Sequence, residues 1–175
     1  MSAAGIILAA GESRRMGFPK ALLKYRNESF LDTLTKVADL AQAAGVTVAF
    51  ETGQESAALL RKTLDELKSP ALKVNFDPAN MLLYDKDDPL RAIELLAPDI
   101  RSVHLKDAHR PKVKGEWGEE VPLGKGSVNI RMFLQTLKKV GYRGPLCIER
   151  EVGTQEQRFA DIAAAVRYTR DCLAA

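Results

Sequence analysis

Apolar and polar positions along this chain follow two rhythms. A continuous apolar run at residues 4–10 (AGIILAA), stopped by Gly11, predicts a strand. From Glu28 to Ala44, Phe30, Leu31, Leu34, Val37, Ala38 and Ala41 share one helical face, and Gly45 ends the segment. Residues 46–51 (VTVAFE) predict a second strand. Residues 55–68 predict a second helix, with Leu60, Leu64 and Leu67 in register and Pro70 just beyond its end. A third strand is expected at 72–77 (LKVNFD). A short helix is expected from Asp88 to Leu96, with Pro89 in its first turn. A fourth strand is expected at 100–106 (IRSVHLK), followed by a polar loop at 107–126. Ser127 is the expected N-cap of a helix striped by Ile130, Phe133, Leu134, Leu137 and Val140. Residues 145–150 (PLCIER) predict a fifth strand. The last helix, 155–173, is expected to turn Phe159, Ile162, Val166 and Leu173 inward. Five alternating βα units predict an α/β architecture with a parallel sheet. The loop at 107–126 is longer than most α/β connections, and such loops are often functional.

Side chains alternate across a strand, so each strand has two faces to compare. Val46, Val48 and Phe50 oppose Thr47, Ala49 and Glu51. Leu72, Val74 and Phe76 oppose Lys73, Asn75 and Asp77. Val103 and Leu105 oppose Ser102, His104 and Lys106, and Leu146 and Ile148 oppose Cys147 and Glu149. A doubly wound sheet is covered on both sides and reads apolar on both. One apolar and one polar face instead predict a barrel wall, with helices outside and a wet, polar interior. The first strand departs from this: Ile6 and Leu8 on one face and Ile7 and Ala9 on the other are all apolar. It reads as a Rossmann-like strand made for different surroundings.

The polar face ends, strand by strand, in Glu51, Asp77, His104 and Glu149. These are C-terminal strand ends, where parallel α/β folds carry their sites. Three carboxylates and an imidazole converging there suit a divalent cation such as Mn²⁺ or Mg²⁺. Buried together without a cation, the carboxylates would repel one another and take up protons. No organic cofactor is expected.

Composition narrows the field further. The 175 residues are fewer than the roughly 250 of a full eight-stranded barrel. Against 23 acidic residues there are 26 basic ones. That net charge of +3 is too small to argue for nucleic acid, yet it is compatible with a small anionic substrate. Aromatic residues are 6% of the chain, too few for a base-stacking platform. Cys147 and Cys172 have neither metal-site nor disulfide spacing. No apolar run reaches membrane-spanning length, and the apolar start lacks a basic flank and reads as a strand. The expected location is the cytoplasm.

The segments GVTVAFETGQES, VNFDPANMLLY, VHLKDA, EVPLGKGSVN and GYRGPLCIERE resemble, in order, signatures of the xylose-isomerase-like TIM barrels, the sugar phosphate isomerase/epimerase family. The resemblance covers about residues 40–175 and corresponds to the last four βα units of that barrel. It implies that Glu51, Asp77, His104 and Glu149 bind the metal. It also implies that Glu51 and Glu149 act as the acid/base pair beside a substrate carbonyl. Lys106, Asp107 and Arg150 flank these positions as candidate contacts to substrate hydroxyls or phosphate. His109 reads as a loop residue. The stretch LGKGS at 123–127 looks like a phosphate loop but lacks Walker spacing, and reads more simply as the approach to a helix N-cap.

Residues 8–23, LAAGESRRMGFPKALL, resemble a different family: the opening motif of nucleotidyltransferases that build guanylyl and cytidylyl forms of the molybdenum cofactor. That resemblance implies nucleotide or phosphate binding by Ala9, Gly11, Arg15 and Lys20, with loop N–H groups forming an anion nest. The chain then reads as a mosaic. A nucleotidyltransferase-like βα fragment at 1–40 precedes a half-barrel at 41–175, the two forming one compact domain. An engineered chimera, a natural recombinant and a truncated gene product all fit that pattern. A small anionic sugar is the expected ligand. A nucleotide-binding protein and an idle, non-enzymatic fold are the alternatives. A half-barrel leaves sheet edges open, which homodimerisation would relieve.

Overall fold

Between residues 47 and 148 each expected strand forms, shorter than its pattern by up to three residues. The computed structural model describes residues 4–7, 24–25 and 28–174. In chain order the elements are β1 (Ala4–Ile7), β2 (Lys24–Tyr25), β3 (Glu28–Ser29), α1 (Phe30–Ala43), β4 (Thr47–Glu51), α2 (Ala57–Leu67), β5 (Leu72–Phe76), α3 (Pro78–Leu83), α4 (Pro89–Leu96), β6 (Ile100–Leu105), β7 (Asp107–His109), β8 (Glu119–Val121), α5 (Ile130–Lys139), β9 (Leu146–Ile148) and α6 (Gln155–Ala174). A single turn of 3-10 helix, Ala97–Asp99, joins α4 to β6. Among the described residues, five strands form one parallel sheet in the order β1-β4-β5-β6-β9. Each strand lies beside its predecessor in this sheet. A doubly wound sheet reverses its order part-way, whereas a barrel wall does not. The fold is therefore α/β, a partial TIM-type barrel.

Local chemistry starts the helices. Ser29 and Asp32 form a reciprocal capping box on α1. Ser56 caps α2, and Asp77 and Asp88 cap α3 and α4, each followed by a proline that suits the first turn. The α5 cap is Asn129, not Ser127: Asn129 takes the left-handed conformation at φ 57° and accepts from Met132 N–H. Asparagine tolerates that conformation better than most residues.

The core lies between the helices and the apolar strand face. Leu34, Ala38, Leu60, Leu64, Ile93, Leu96, Ile130 and Phe133 pack on Val48, Phe50, Leu72, Val74, Phe76, Val103 and Leu105. Phe76 and Phe133 meet at 5.8 Å between ring centroids. Each buried Val, Leu, Ile or Phe side chain among these contributes about 1.5–3 kcal/mol.

Three expectations are corrected here. The last helix does not turn Phe159 and Leu173 inward; both are exposed, and α6 buries Ala165, Thr169 and Cys172 instead. Those small side chains, spaced i, i+4 and i+7, let the helix approach closely. The polar strand face is not wet throughout, since Asn75 and Asp77 are fully buried. The 107–126 segment is not wholly irregular: β7 and β8 pair within it as an antiparallel ribbon. The helix α3 had no counterpart in the pattern.

β1 pairs with β4, from Ala4 opposite Thr47 to Ile7 opposite Phe50. The N-terminal loop residues Ala9, Gly11, Arg15 and Lys20 lie outside the described residues. No helix among the described residues is long and apolar enough to cross a membrane.

Candidate metal centre

Parallel pairing brings successive strand ends to one level. Glu51 is level with Asn75, Asn75 with Ser102, and His104 with Cys147. Glu51 ends β4, Asp77 follows β5, His104 lies near the end of β6 and Glu149 follows β9. One donor atom from each of the four lies within 4.8 Å of the other three. His104 Nδ1 is 2.7 Å from Glu51 Oε1, 3.2 Å from Glu149 Oε2 and 4.0 Å from Asp77 Oδ2. The expected ligand set does converge.

Asp77 divides its work. Its Oδ1 accepts from Ala79 and Asn80 N–H at 2.8 and 3.0 Å, capping α3. Its Oδ2 is buried and has no hydrogen-bond donor among the described residues. Thr52 holds this corner. Its hydroxyl accepts from Asp77 N–H at 2.7 Å and donates to Asp77 C=O at 2.9 Å. A buried carboxylate oxygen without a hydrogen-bond donor is costly, and a cation is the natural partner for it. Burial pushes the Asp77 carboxyl well above the usual carboxylate range, against the pull of the Lys106 ammonium.

The other groups balance charge differently. Burial acts to lower the His104 pKa, but the carboxylates of Glu149 and Glu51 outweigh it and raise it to about 10. The bond from His104 holds Glu149 well below the usual range, against partial burial. Asn75 Nδ2 lies 3.4 Å from Glu51 Oε1 and 3.2 Å from His104 Nε2, and Ser102 donates to Asn75 Oδ1 at 2.5 Å. Lys106 is 2% exposed. Its ammonium pairs with Glu151, lies 3.3 Å from Glu149 Oε2 and 3.9 Å from Asp77 Oδ2. The cluster is thus held by two cationic side chains, and a divalent cation would take the place of the His104 proton.

The flanking residues face inward. Asp107 is buried and accepts backbone N–H from Ala108, Gly124, Gly126 and Val128 at 2.9–3.1 Å. This explains why LGKGS looks like a phosphate loop. Its N–H groups do gather round an anion, and that anion is the chain's own carboxylate. Gly126 is required there, because a Cβ would lie 2.1 Å from Asp107 Oδ1. His109, expected in a loop, instead ends β7 opposite Glu119, and its Nδ1 lies 2.8 Å from Ser127 Oγ. Arg150 pairs with Glu120 at 2.6 Å and Asp161 at 2.8 Å.

A sequence profile of the xylose isomerase-like TIM barrel matches residues 4–172. The chain belongs to the xylose isomerase-like TIM barrel family. The match begins at residue 4 and so runs through the N-terminal segment that the sequence pattern set apart. An L-ribulose-5-phosphate 3-epimerase of Salmonella typhi is 31% identical over 140 residues, covering 78% of this chain and 47% of that protein. The crystal structure of a xylose isomerase domain protein from Planctomyces limnophilus is 39% identical with a TM-score of 0.79, over 81% of this chain and 52% of that one. A xylose isomerase-like TIM barrel protein from Mycobacterium smegmatis, solved in complex with magnesium, shares the fold at a TM-score of 0.67 and 16% identity, over 97% of this chain and 60% of that one. The chain spans about half the length of the curated relatives it matches.

In this xylose isomerase-like chain several supporting residues were not singled out from sequence. Asn75 and Ser102 occupy the same alternating face as the ligands, so a signal for them existed. Thr52 lies one residue past Glu51 and carries none. Glu120 arrives from the ribbon inside a polar loop, where periodicity says nothing about three-dimensional neighbours.

Proposed function

We propose that this chain carries the divalent-cation site of a sugar or sugar phosphate isomerase/epimerase, held by Glu51, Asp77, His104 and Glu149. The single observation behind this reading is the four-donor cluster within 4.8 Å, in which the buried Asp77 Oδ2 has no hydrogen bond among the described residues. Three carboxylates and one imidazole fit a cation that accepts both oxygen and nitrogen, Mn²⁺ before Mg²⁺. Such a cation, when bound, acts as a Lewis acid on the substrate's carbonyl and hydroxyl oxygens.

The chain's own residues supply the proton chemistry. Epimerisation removes a proton from one face of a carbon beside a carbonyl and returns one to the other face. Two carboxyl groups are needed, and Glu51 and Glu149 are the pair. Glu149 is ionised, held so by His104 and by Lys106 3.3 Å away, and serves as the base. The C–H electron pair passes into the carbonyl system as Glu149 takes the proton, and Glu51, having first drawn a proton from water, delivers it on the opposite face. Exchange with water then resets both carboxyls. The likeness to an L-ribulose-5-phosphate 3-epimerase supports a small anionic sugar as substrate.

Calorimetric titration with Mn²⁺ tests the site: wild type is expected to bind and Glu149→Gln to bind at least tenfold more weakly. Equal, negligible heats in both would sink the reading. For the chemistry, the same protein is incubated with ribulose 5-phosphate in D₂O, where deuterium is expected at the carbon beside the carbonyl.

A further inference from the structure

The glutamate completing the ligand set follows the least supported strand. β9 has three residues, none of them buried, and among the described residues no strand flanks its outer side. The last sheet bond before the ligand runs from Glu149 N–H to Leu105 C=O at 3.1 Å. Beyond it the backbone leaves the sheet. The next two positions to carry N–H groups past Arg150, Glu151 and Val152, donate to Glu120 Oε1 at 3.0 and 3.5 Å. The same oxygen accepts from the Arg150 guanidinium at 2.6 Å. Glu151 and Val152 are exposed, so water could satisfy their amides, yet a buried carboxylate takes them instead.

Glu120 is itself well placed to transmit position. Its side chain is 4% exposed, and it sits on β8, whose partner β7 begins two residues after the end of β6. The strand of His104 is thereby linked to the segment that follows Glu149. Glu120 Oε2 lies 3.9 Å from Lys106 Nζ, which in turn reaches Glu149.

We propose that Glu120 is a positioning residue for the cation site: by gathering the two amides and the guanidinium that follow Glu149, it sets where the Glu149 carboxylate points. The inference rests on the reading of Glu149 as a ligand. Groups behind the ligands typically change metal affinity about 10–100-fold when removed.

The test is Mn²⁺ calorimetry on the full chain as wild type, Glu120→Ala and Glu120→Gln, with amide hydrogen exchange read in parallel. Glu120→Ala is expected to weaken binding about 10–100-fold. Glu120→Gln keeps an oxygen for the two amides and is expected to bind within about fivefold of wild type, a rescue that general destabilisation does not give. Exchange in Glu120→Ala is expected to rise at Glu151 and Val152 while Val103 and Leu105 stay protected. Should the alanine variant not fold, Glu120→Asp, with the charge kept but the reach shortened, is read the same way. Wild-type affinity in the alanine variant, or exchange rising equally through the sheet, overturns the proposal while leaving the cation site standing. A wild-type chain that binds no Mn²⁺ overturns the cation reading, and the proposal falls with it.

Discussion

Replacing Asp107 with alanine removes the anion around which the 124–128 loop is folded. Four N–H groups lose their acceptor: Ala108, Gly124, Gly126 and Val128. Gly124 and Gly126 are partly exposed and turn to water. Ala108 and Val128 are buried, and a buried donor left unmatched costs about 1–3 kcal/mol. The two buried donors alone put the loss at about 2–6 kcal/mol, a large share of the roughly 5–15 kcal/mol that holds a domain together. Asp107→Asn keeps one oxygen but turns an amide nitrogen toward two N–H donors, so it too is expected to destabilise, by less. Urea unfolding followed by circular dichroism measures this. With a slope of about 1–3 kcal/mol per molar, the alanine midpoint is expected to fall by at least about 0.7 M with the slope unchanged. Gly126→Ala, which places a Cβ against Asp107 Oδ1, is expected to cost less once Asp107 is already alanine. A loss below about 0.5 kcal/mol in Asp107→Ala would refute the account, since that is the ordinary range of a surface substitution.

The remaining predictions concern the core, a part-buried ion cluster and the cation. Phe133→Ala empties a fully buried site against Phe76 and is expected to cost about 3–5 kcal/mol by the same urea assay. Asp99 bonds Arg61 at 2.5 Å and Lys73 at 2.6 Å; burial acts to raise its pKa, but these partners outweigh it and hold it below the ordinary value. A carboxyl depressed in the folded state stabilises above its unfolded pKa, about 3.9, and loses that effect as pH falls through the folded value. Asp99→Asn is therefore expected to be about 1–3 kcal/mol less stable than wild type at pH 7, with the gap closing as pH drops below about 4; a gap independent of pH would refute this. Mn²⁺ at 100 times its Kd is expected to stabilise wild type by about 2.7 kcal/mol, read as a rise in Tm that EDTA reverses and that at the same Mn²⁺ concentration is cut to about half or less in Glu149→Gln.

Strand pattern carried much of the fold. In β4, β5 and β6 the two faces differ so plainly that the buried set, from Val48 to Leu105, could be named from alternation. The α5 stripe was equally legible: Ile130, Phe133, Leu134 and Leu137 are all buried. The α6 stripe was misread because its alanines leave two faces open to burial, and the neighbours choose between them. The ribbon of β7 and β8 was illegible because three-residue strands carry no period worth reading.

The sequence by itself determined which residues could form the cation site. Strand alternation is local, so the order Glu51, Asp77, His104 and Glu149 at successive strand ends is written in nearest-neighbour spacing. Only the tertiary structure decided what surrounds them. The buried, unmatched Asp77 Oδ2, the ammonium of Lys106, the turn of LGKGS onto Asp107 and the reach of Glu120 to the amides beyond β9 all join residues far apart in the chain. Such contacts depend on where whole elements pack, and packing is a sum over the fold that no single window of sequence contains.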